Sequence, residues 1–580
     1  MKKKLLLLLI SLSAITILSC MDTTETAETD SFSKNSVTLP GTDGILKSKS
    51  SSAAAQEYSY TYRECVYIQS PGATEPVTIA ANILIPDAVT DGQKFPSIIF
   101  ANSWALEEHE YMAQAIHFAK KGYIVLSFSS RGWGLSGGKV ALGSPEDRAD
   151  FSAVVDWLIA NSPVDESNIA VCGISLGGGT ALNAAAHEPR IKTAVGISAW
   201  TDLETHMWSA ETPKLVWGSL LVITGTILAR MDPDIYSIYY ATLTNSNIGW
   251  LKEWCSIRSP LTFIDNINKR NTPVYIANAT EDYLFTPDSV ISFFNALTVD
   301  HKRADLSLGT HFTAEATGIL GLPNYVFDKV DKWFDYWLKG IDTGIISSPE
   351  KSAVVTMQLK NSLDRIEYST DKLQYADGNY TWPPKSVSGQ TFYCGQRTLI
   401  TNGTLKTTMN TKTATDIMYS GLLSGSTAGA VIFPIFEQLG AGVITNINLL
   451  NRVESVAWES SAFTSEKKIR GGSEVKLRLS LTRDKGQIIV YLYDVDKWGT
   501  ATYIIHGFHT FWDAKPGAVM DLTIPIMTTA YDIPAGHHLT MVIDTSDPLY
   551  SKPSLVPFNI TYYYGNTAAK QIKLTVPLEN

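Results

Sequence analysis

Cysteine and histidine are scarce in this 580-residue chain, at five and ten residues. The histidines form no His-Glu-x-x-His or comparable cluster. Apart from Cys20, the cysteines (Cys65, Cys172, Cys255 and Cys394) are scattered without metal-ligand spacing. This pattern implies no metal and no cofactor. The four cysteines read as buried thiols, or as one disulfide in an exported protein. Basic residues form no run beyond Lys2-Lys3-Lys4, and the net charge is −10, which argues against nucleic acid as a partner. Long apolar runs are missing too. Leu5–Leu18 and Leu215–Ala229 come nearest, and both are shorter than a comfortable bilayer span. The second, bracketed by Lys214 and Arg230, reads as a buried helix in a cap over an active site rather than as a lipid-touching lid.

The N-terminus reads as an address rather than as fold. A basic start, an apolar stretch and Ile17-Leu18-Ser19-Cys20 make a signal segment over residues 1–20. A small residue before Cys20 is similar to a bacterial lipobox, in which Cys20 is lipidated and becomes the mature terminus. Leu18 departs slightly from the usual box, so ordinary secretion is the alternative. Residues 21–56, rich in Thr, Ser, Ala, Asp and Glu, suit a solvated tether. The expected location is therefore a bacterial cell envelope, on its periplasmic or outer side, with a membrane as partner through Cys20.

Hydrophobic residues at 44% and charged residues at 18% indicate a well-packed globular body, and the length indicates two or three domains. Over 57–345 the periodicity alternates. Strands are expected at Val77–Ile85, Pro96–Ala101, Tyr123–Ser129, Ile169–Gly173, Ile191–Ser198, Val274–Ala277 and Ala304–Leu308. Helices are expected at Glu107–Lys121, Pro145–Ala160, Gly177–Ala186, Pro287–Leu297 and Asn324–Lys339. Such alternation predicts a mostly parallel sheet covered on both faces, with a helical cap at about 200–270. From 350 to 580, short alternating strands such as Glu474–Leu481, Gln487–Asp494 and Leu539–Asp544 predict an antiparallel sandwich.

The most informative stretch runs from Asn168 to Ala186. There an apolar strand meets Gly173-Ile174-Ser175-Leu176-Gly177 and a small-residue helix follows at once. A strand that turns sharply into a helix pushes a serine hydroxyl out of the backbone, and the helix start offers free N–H groups beside it. Ser175 reads as a nucleophile. Gly134-Leu-Ser136-Gly-Gly138 repeats the pattern but leads into no helix, so it reads as a loop needing positive φ.

A serine nucleophile needs a base and an acid to orient that base. The order Ser, acid, His after successive strands is that of α/β-hydrolases. Here His311 follows Ala304–Leu308, and Asp282 follows Val274–Ala277, with Glu281 the main rival and Asp288 a distant third. His301 lies at the wrong end of its strand, and the loops of His187 and His206 do not match the order. Leu176 N–H is one expected oxyanion donor. Trp104, in the loop after Pro96–Ala101, is the second by its backbone N–H, or else an aromatic wall of the pocket. Trp200, Trp208, Trp217, Tyr236, Tyr239 and Tyr240 line the pocket or pack the cap.

Together these residues are familiar. Arg131-Gly-Trp-Gly-Leu-Ser-Gly137, Gly173-Ile-Ser175-Leu-Gly177, Asp282 and Gly309-Thr-His311 carry the resemblance in the first domain. Tyr493-Asp494-Val-Asp496 with Gly499, and Ile533-Pro-Ala-Gly536-His-His-Leu539, carry it in the second. The chain resembles, over most of 60–577, the serine hydrolases typified by cocaine esterase and X-prolyl dipeptidyl-peptidases. That resemblance implies an α/β-hydrolase fold with a helical cap insertion, followed by an all-β jelly-roll sandwich. It also implies acyl transfer to water from a small-molecule ester or peptide. Two stretches depart from the family: Trp104 stands where Tyr is common, and Ser70–Pro76 replaces a short polar turn. An X-prolyl peptidase would need a carboxylate for the substrate's amine, for which Asp202 and Glu204 are available. A tethered binding protein without catalysis is the remaining reading. Oligomeric state is not legible.

Overall fold

The computed structural model describes residues 57–579, apart from 361–366, 371–381, 384–385, 399–400 and 422–442. The expected signal segment, tether and Cys20 lie outside the described residues.

Apolar, β-branched runs bounded by turns build the first sheet. Its strands are β1 (Tyr60–Ser70), β2 (Val77–Pro86), β3 (Phe95–Ala101), β4 (Ile124–Phe128), β5 (Val164–Ile174), β6 (Ile191–Ile197), β7 (Val274–Ala279), β8 (His301–Ser307), β9 (Ser352–Gln358) and β10 (Glu367–Ser369). They lie in the order β1-β2-β4-β3-β5-β6-β7-β8-β9-β10. The strands β3 to β9 run parallel, and β1, β2 and β10 are antiparallel additions at the edges. A parallel sheet needs both faces covered. The helices α1 (Met112–Lys120), α2 (Pro145–Asn161) and α3 (Leu176–His187) supply part of that cover. Phe151, Val154 and Leu158 of α2 and Ala181, Leu182 and Ala185 of α3 pack one face. Phe118 of α1 packs the other face, with Phe327, Val330, Trp333 and Phe334.

Between β6 and β7 the chain forms the expected cap: α4 (Leu203–Trp208), α5 (Leu215–Leu228), α6 (Pro233–Thr244) and α7 (Ile248–Ser256), with α8 (Ile264–Arg270) leading back to the sheet. The expectation of a buried α5 is corrected. Only Trp217 and Gly225 of this helix are buried, while Leu215, Leu220, Ile223, Ile227 and Leu228 are exposed. The helix is apolar all round, so hydropathy alone could not show which face is covered. No helix among the described residues is long and apolar enough to cross a membrane. After β7 come α9 (Pro287–Ala296), α10 (Ala316–Ile319) and α11 (Tyr325–Lys339).

Just past the division expected at 345–350, the strand Ser352–Gln358 pairs with β8 and so extends the first sheet. Beyond it, twelve strands from Val387–Cys394 to Lys573–Glu579 form an all-β second domain. Its path closes on itself where Lys467–Leu481 pairs with Lys573–Glu579, giving a closed barrel-like sandwich. The pairings are antiparallel except between Gly403–Lys406 and Val456–Ser460.

The described chain begins beside the N-terminal edge of the parallel sheet. Tyr58 N–H donates to Lys120 O at 2.8 Å, and its ring meets the edge of Phe95, the first residue of β3.

Candidate active site

Strand β5 ends at Ile174 and α3 begins at Leu176, so Ser175 alone makes the turn, at φ 55° and ψ −110°. A side chain rarely adopts that backbone, and such strain marks sites that project a reactive group. Space around the turn is minimal. A Cβ on Gly177 would lie 1.9 Å from Ala101 O, and one on Gly173 would lie 2.4 Å from Gly177 C. Both positions therefore require glycine. Leu176 opens the first helical turn, where N–H groups have no partner inside the helix.

Ser175 Oγ lies 2.9 Å from His311 Nε2, and His311 Nδ1 lies 2.8 Å from Asp282 Oδ2. Asp282 is fully buried. Its second oxygen accepts the N–H groups of Leu284 at 2.9 Å and Phe285 at 2.7 Å. A carboxylate held in this way keeps hydrogen on Nδ1 and leaves Nε2 to accept from the serine. The structure thus brings together Ser175, His311 and Asp282 at the C-terminal edge of the sheet. Glu281 turns the other way and pairs with Lys360. Asp288 accepts from Thr528 N–H and Oγ in the second domain. His301 starts β8 at the end far from His311. His187 lies 2.9 Å from an Arg148 nitrogen. His206, held neutral by burial, accepts Thr201 N–H. Ser136 is structural: its hydroxyl donates to Ser129 O and accepts from Ala80 N–H, in a loop with positive φ at Gly132, Gly134 and Gly138.

The wall around His311 is aromatic. Trp217 of α5 and Phe285 meet its ring at 5.3 and 5.0 Å between centroids. The Trp104 indole does not face the serine as a donor. Its Nε1–H donates toward Leu221 O and Thr224 Oγ at 3.1 and 3.2 Å, and Gly225 admits the ring against α5. Only the backbone N–H of Trp104 is left for an oxyanion. Trp200 and Trp208 are buried cap-side packing, and Tyr236 and Tyr240 are exposed. Asp202 accepts from Thr205 Oγ at 2.5 Å, and Glu204 pairs with Lys252 on the cap surface.

Two buried groups and one half-buried group near the site escape sequence reasoning. Burial lowers the Lys214 ammonium to about 7, against the opposing pull of Asp282, while it donates to Leu284 O at 2.7 Å. Burial also raises the carboxyl of Glu315, beside His311 and Ser198, to about 7. Glu110 is raised to about 8 beneath the loop of Trp104. No local motif marks them, because their burial depends on the cap and on loops distant in sequence. The cysteines Cys172, Cys255 and Cys394 are buried free thiols. Glu107, Glu108 and His109 cluster their ligand atoms, but His109 Nδ1 already pairs with Glu107 at 2.8 Å.

Comparison with known proteins agrees with this architecture. Residues 75–313 match the family described as X-Pro dipeptidyl-peptidase (S15 family), and residues 353–575 match the C-terminal non-catalytic domain of X-Pro dipeptidyl-peptidase. The fold and the family match define a serine hydrolase. Each of the two domains thus resembles its counterpart in the X-Pro dipeptidyl-peptidases. A CocE/NonD family hydrolase from Staphylococcus aureus superposes with a TM-score of 0.67 at 12% identity, covering 90% of this chain and 94% of that one. An α-amino acid ester hydrolase does so at 0.65 and 13%, covering 91% and 98%. At these identities the likeness is one of fold. Among curated relatives, an uncharacterized protein of Pseudomonas aeruginosa is 34% identical over 122 residues, 20% of this chain and 33% of its own length. Cutinase 2 of Thermobifida cellulosilytica is 28% identical over 127 residues, 21% of this chain and 45% of its own. The chain thus spans less than half the length of these curated relatives.

Proposed function

We propose that the protein is a carboxylesterase-type serine hydrolase. Ser175 attacks the ester carbonyl while His311 Nε2 takes its proton, and Asp282 orients and stabilises the imidazolium. Leu176 N–H and Trp104 N–H hold the oxyanion. His311 then protonates the leaving alcohol, and water, deprotonated by the same nitrogen, cleaves the acyl-enzyme. The observation that carries this reading is the continuous chain from Ser175 Oγ through His311 to a buried Asp282.

Ester rather than X-prolyl peptide is favoured because the surroundings of His311 are aromatic and the acids suggested for an amine subsite are engaged elsewhere. Glu204 binds Lys252 and Asp202 binds Thr205. The intact serine chain speaks against a non-catalytic binding protein. Export and anchoring through a lipid on Cys20 belong to the proposal and rest on the sequence of residues 1–20. Palmitate labelling that persists in Cys20→Ala would sink this part.

The deciding experiment compares kcat/KM on p-nitrophenyl butyrate and on Ala-Pro-p-nitroanilide. Ester turnover without the anilide is expected. Strong anilide turnover overturns the esterase reading. Ser175→Ala is expected to lose about a millionfold in kcat, and turnover that survives this change excludes the mechanism.

A further inference from the structure

The ladder between β3 and β5 ends at the pair Ala101 and Gly173, one residue before Ile174. Beyond that point β3 offers no backbone to the edge of β5, although Ile174 precedes the strained Ser175. Side chains take over. Ile174 N–H donates to the Tyr111 hydroxyl at 2.8 Å, and the Ile174 carbonyl lies 3.0 Å from Ser103 Oγ. Ser103 is the neighbour of Trp104. Its N–H donates to Glu110 Oε2 at 2.6 Å, and its Oγ lies 2.5 Å from Glu110 Oε1. Phe100 stacks on the Tyr111 ring with centroids 4.6 Å apart. The loop is braced further where Asn102 donates to the carbonyls of Ser103 and Leu106.

The hydrogen count in this cluster is constrained. The Ser103 hydroxyl has one hydrogen and three oxygens within reach: Glu110 Oε1, Ile174 O and the Tyr111 hydroxyl, which can itself donate. The contacts to Glu110 and to Ile174 are both hydrogen bonds only if Glu110 Oε1 carries a hydrogen and gives it to Ser103 Oγ, which then donates to Ile174 O. An ionised Glu110 would draw the Ser103 hydrogen to itself and leave a carbonyl beside Ser175 unpaired.

We propose that Glu110, in its uncharged form and acting through Ser103, is a positioning residue that locks the Trp104 loop against the Ser175 turn. The inference rests on the proposed acyl transfer, since it concerns the donor geometry of that site. Glu110 is half-buried, and the water it has lost pushes its carboxyl up to about 8, which supports the uncharged form. The titratable groups that face it are Glu107 and Tyr111 from its own segment and Cys172 of β5. Burial keeps Tyr111 and Cys172 neutral, and the negative charge of Glu107 adds to the upward push on Glu110.

The test is kcat and KM for p-nitrophenyl butyrate over a pH series, for the wild type, Glu110→Gln and Glu110→Ala. In the wild type kcat is expected to fall above pH about 8. Glutamine can donate to Ser103 Oγ and accept its N–H without titrating, so Glu110→Gln should keep most of its kcat and lose this alkaline fall. Glu110→Ala should lose roughly 10- to 100-fold in kcat with KM changed less than about threefold. An unaltered alkaline limb in Glu110→Gln, or an unaltered kcat in Glu110→Ala, overturns the proposal. Should Glu110→Ala fail to fold, the glutamine profile decides alone. Labelling of Ser175 by an organophosphonate, followed over the same pH series, keeps the two readings apart. A wild type that labels but turns over no ester overturns the esterase reading, and the labelling rates of the variants then decide the role of Glu110.

Discussion

Asp282 and Glu281 are neighbours that differ by one methylene, and the fold gives them opposite partners. The shorter side chain curls back onto Leu284 N–H and Phe285 N–H and reaches His311, while the longer one crosses to Lys360. Asp282→Asn is therefore expected to lower kcat by about 10⁴ with little loss of fold. Glu281→Gln leaves the Lys360 charge buried without its partner, so it should cost about 3–5 kcal/mol of stability and show chiefly in the denaturation midpoint. A kcat collapse in the Glu281 variant instead would reverse the assignment. Glu315 yields a pH prediction of definite sign. Its folded value of about 7 lies above the ordinary 4.5, so the native state holds a proton that the unfolded chain has released. Stability from this group is complete below about 4.5 and is lost as pH rises through about 7. In urea denaturation, Glu315→Gln should gain on the wild type across that interval and hold a constant lead above it. A gap that does not change with pH refutes this.

Among the elements, the cap helix α5 departs most from what its sequence suggests. Its inner residues serve the site: Trp217 packs on His311, and Leu221 O and Thr224 hold the Trp104 indole. Its outer residues Ile223 and Ile227 are 57% and 70% exposed. The double change Ile223→Ser, Ile227→Ser should therefore shift stability by less than about 1 kcal/mol, as read from the urea midpoint. Gly225→Leu should displace the helix from Trp104 and raise KM, because even a Cβ at Gly225 would lie 2.7 Å from that ring. The elements that carry the site were legible because each has a local signature. The turn at Ser175 is announced by glycines that sterics make obligatory, and α2 by Ser144, Pro145 and the acids of a capping box. What stayed hidden depends on partners far along the chain. Ser352–Gln358 joins the first sheet beside β8, and nothing local says so. The side of α5 that is covered, the indole partner of Trp104 and the pairing of Glu281 with Lys360 are likewise long-range facts.

At the scale of the whole molecule, the second domain is built into the support of the Asp282 turn. Lys360, between β9 and β10 of the first sheet, binds Glu281 and donates to Ile504 O of the second domain, Tyr283 Oη lies 3.2 Å from Tyr503 Oη, and Asp288 holds Thr528. The cap joins the same interface through Thr212 and Thr510, and through Glu211 O and the Trp512 indole. The two domains are thus expected to melt in one calorimetric transition. Lys360→Met, which strands the Glu281 charge, should separate it into two. The N-terminal edge carries a different consequence. Tyr58 docks on Lys120 O beside Phe95, at the start of β3, whereas Ser175 stands beyond the other end of the strands. The described chain therefore enters the molecule on the side away from Ser175, and a bulky partner joined immediately ahead of residue 57 starts out behind the reacting hydroxyl rather than in front of it.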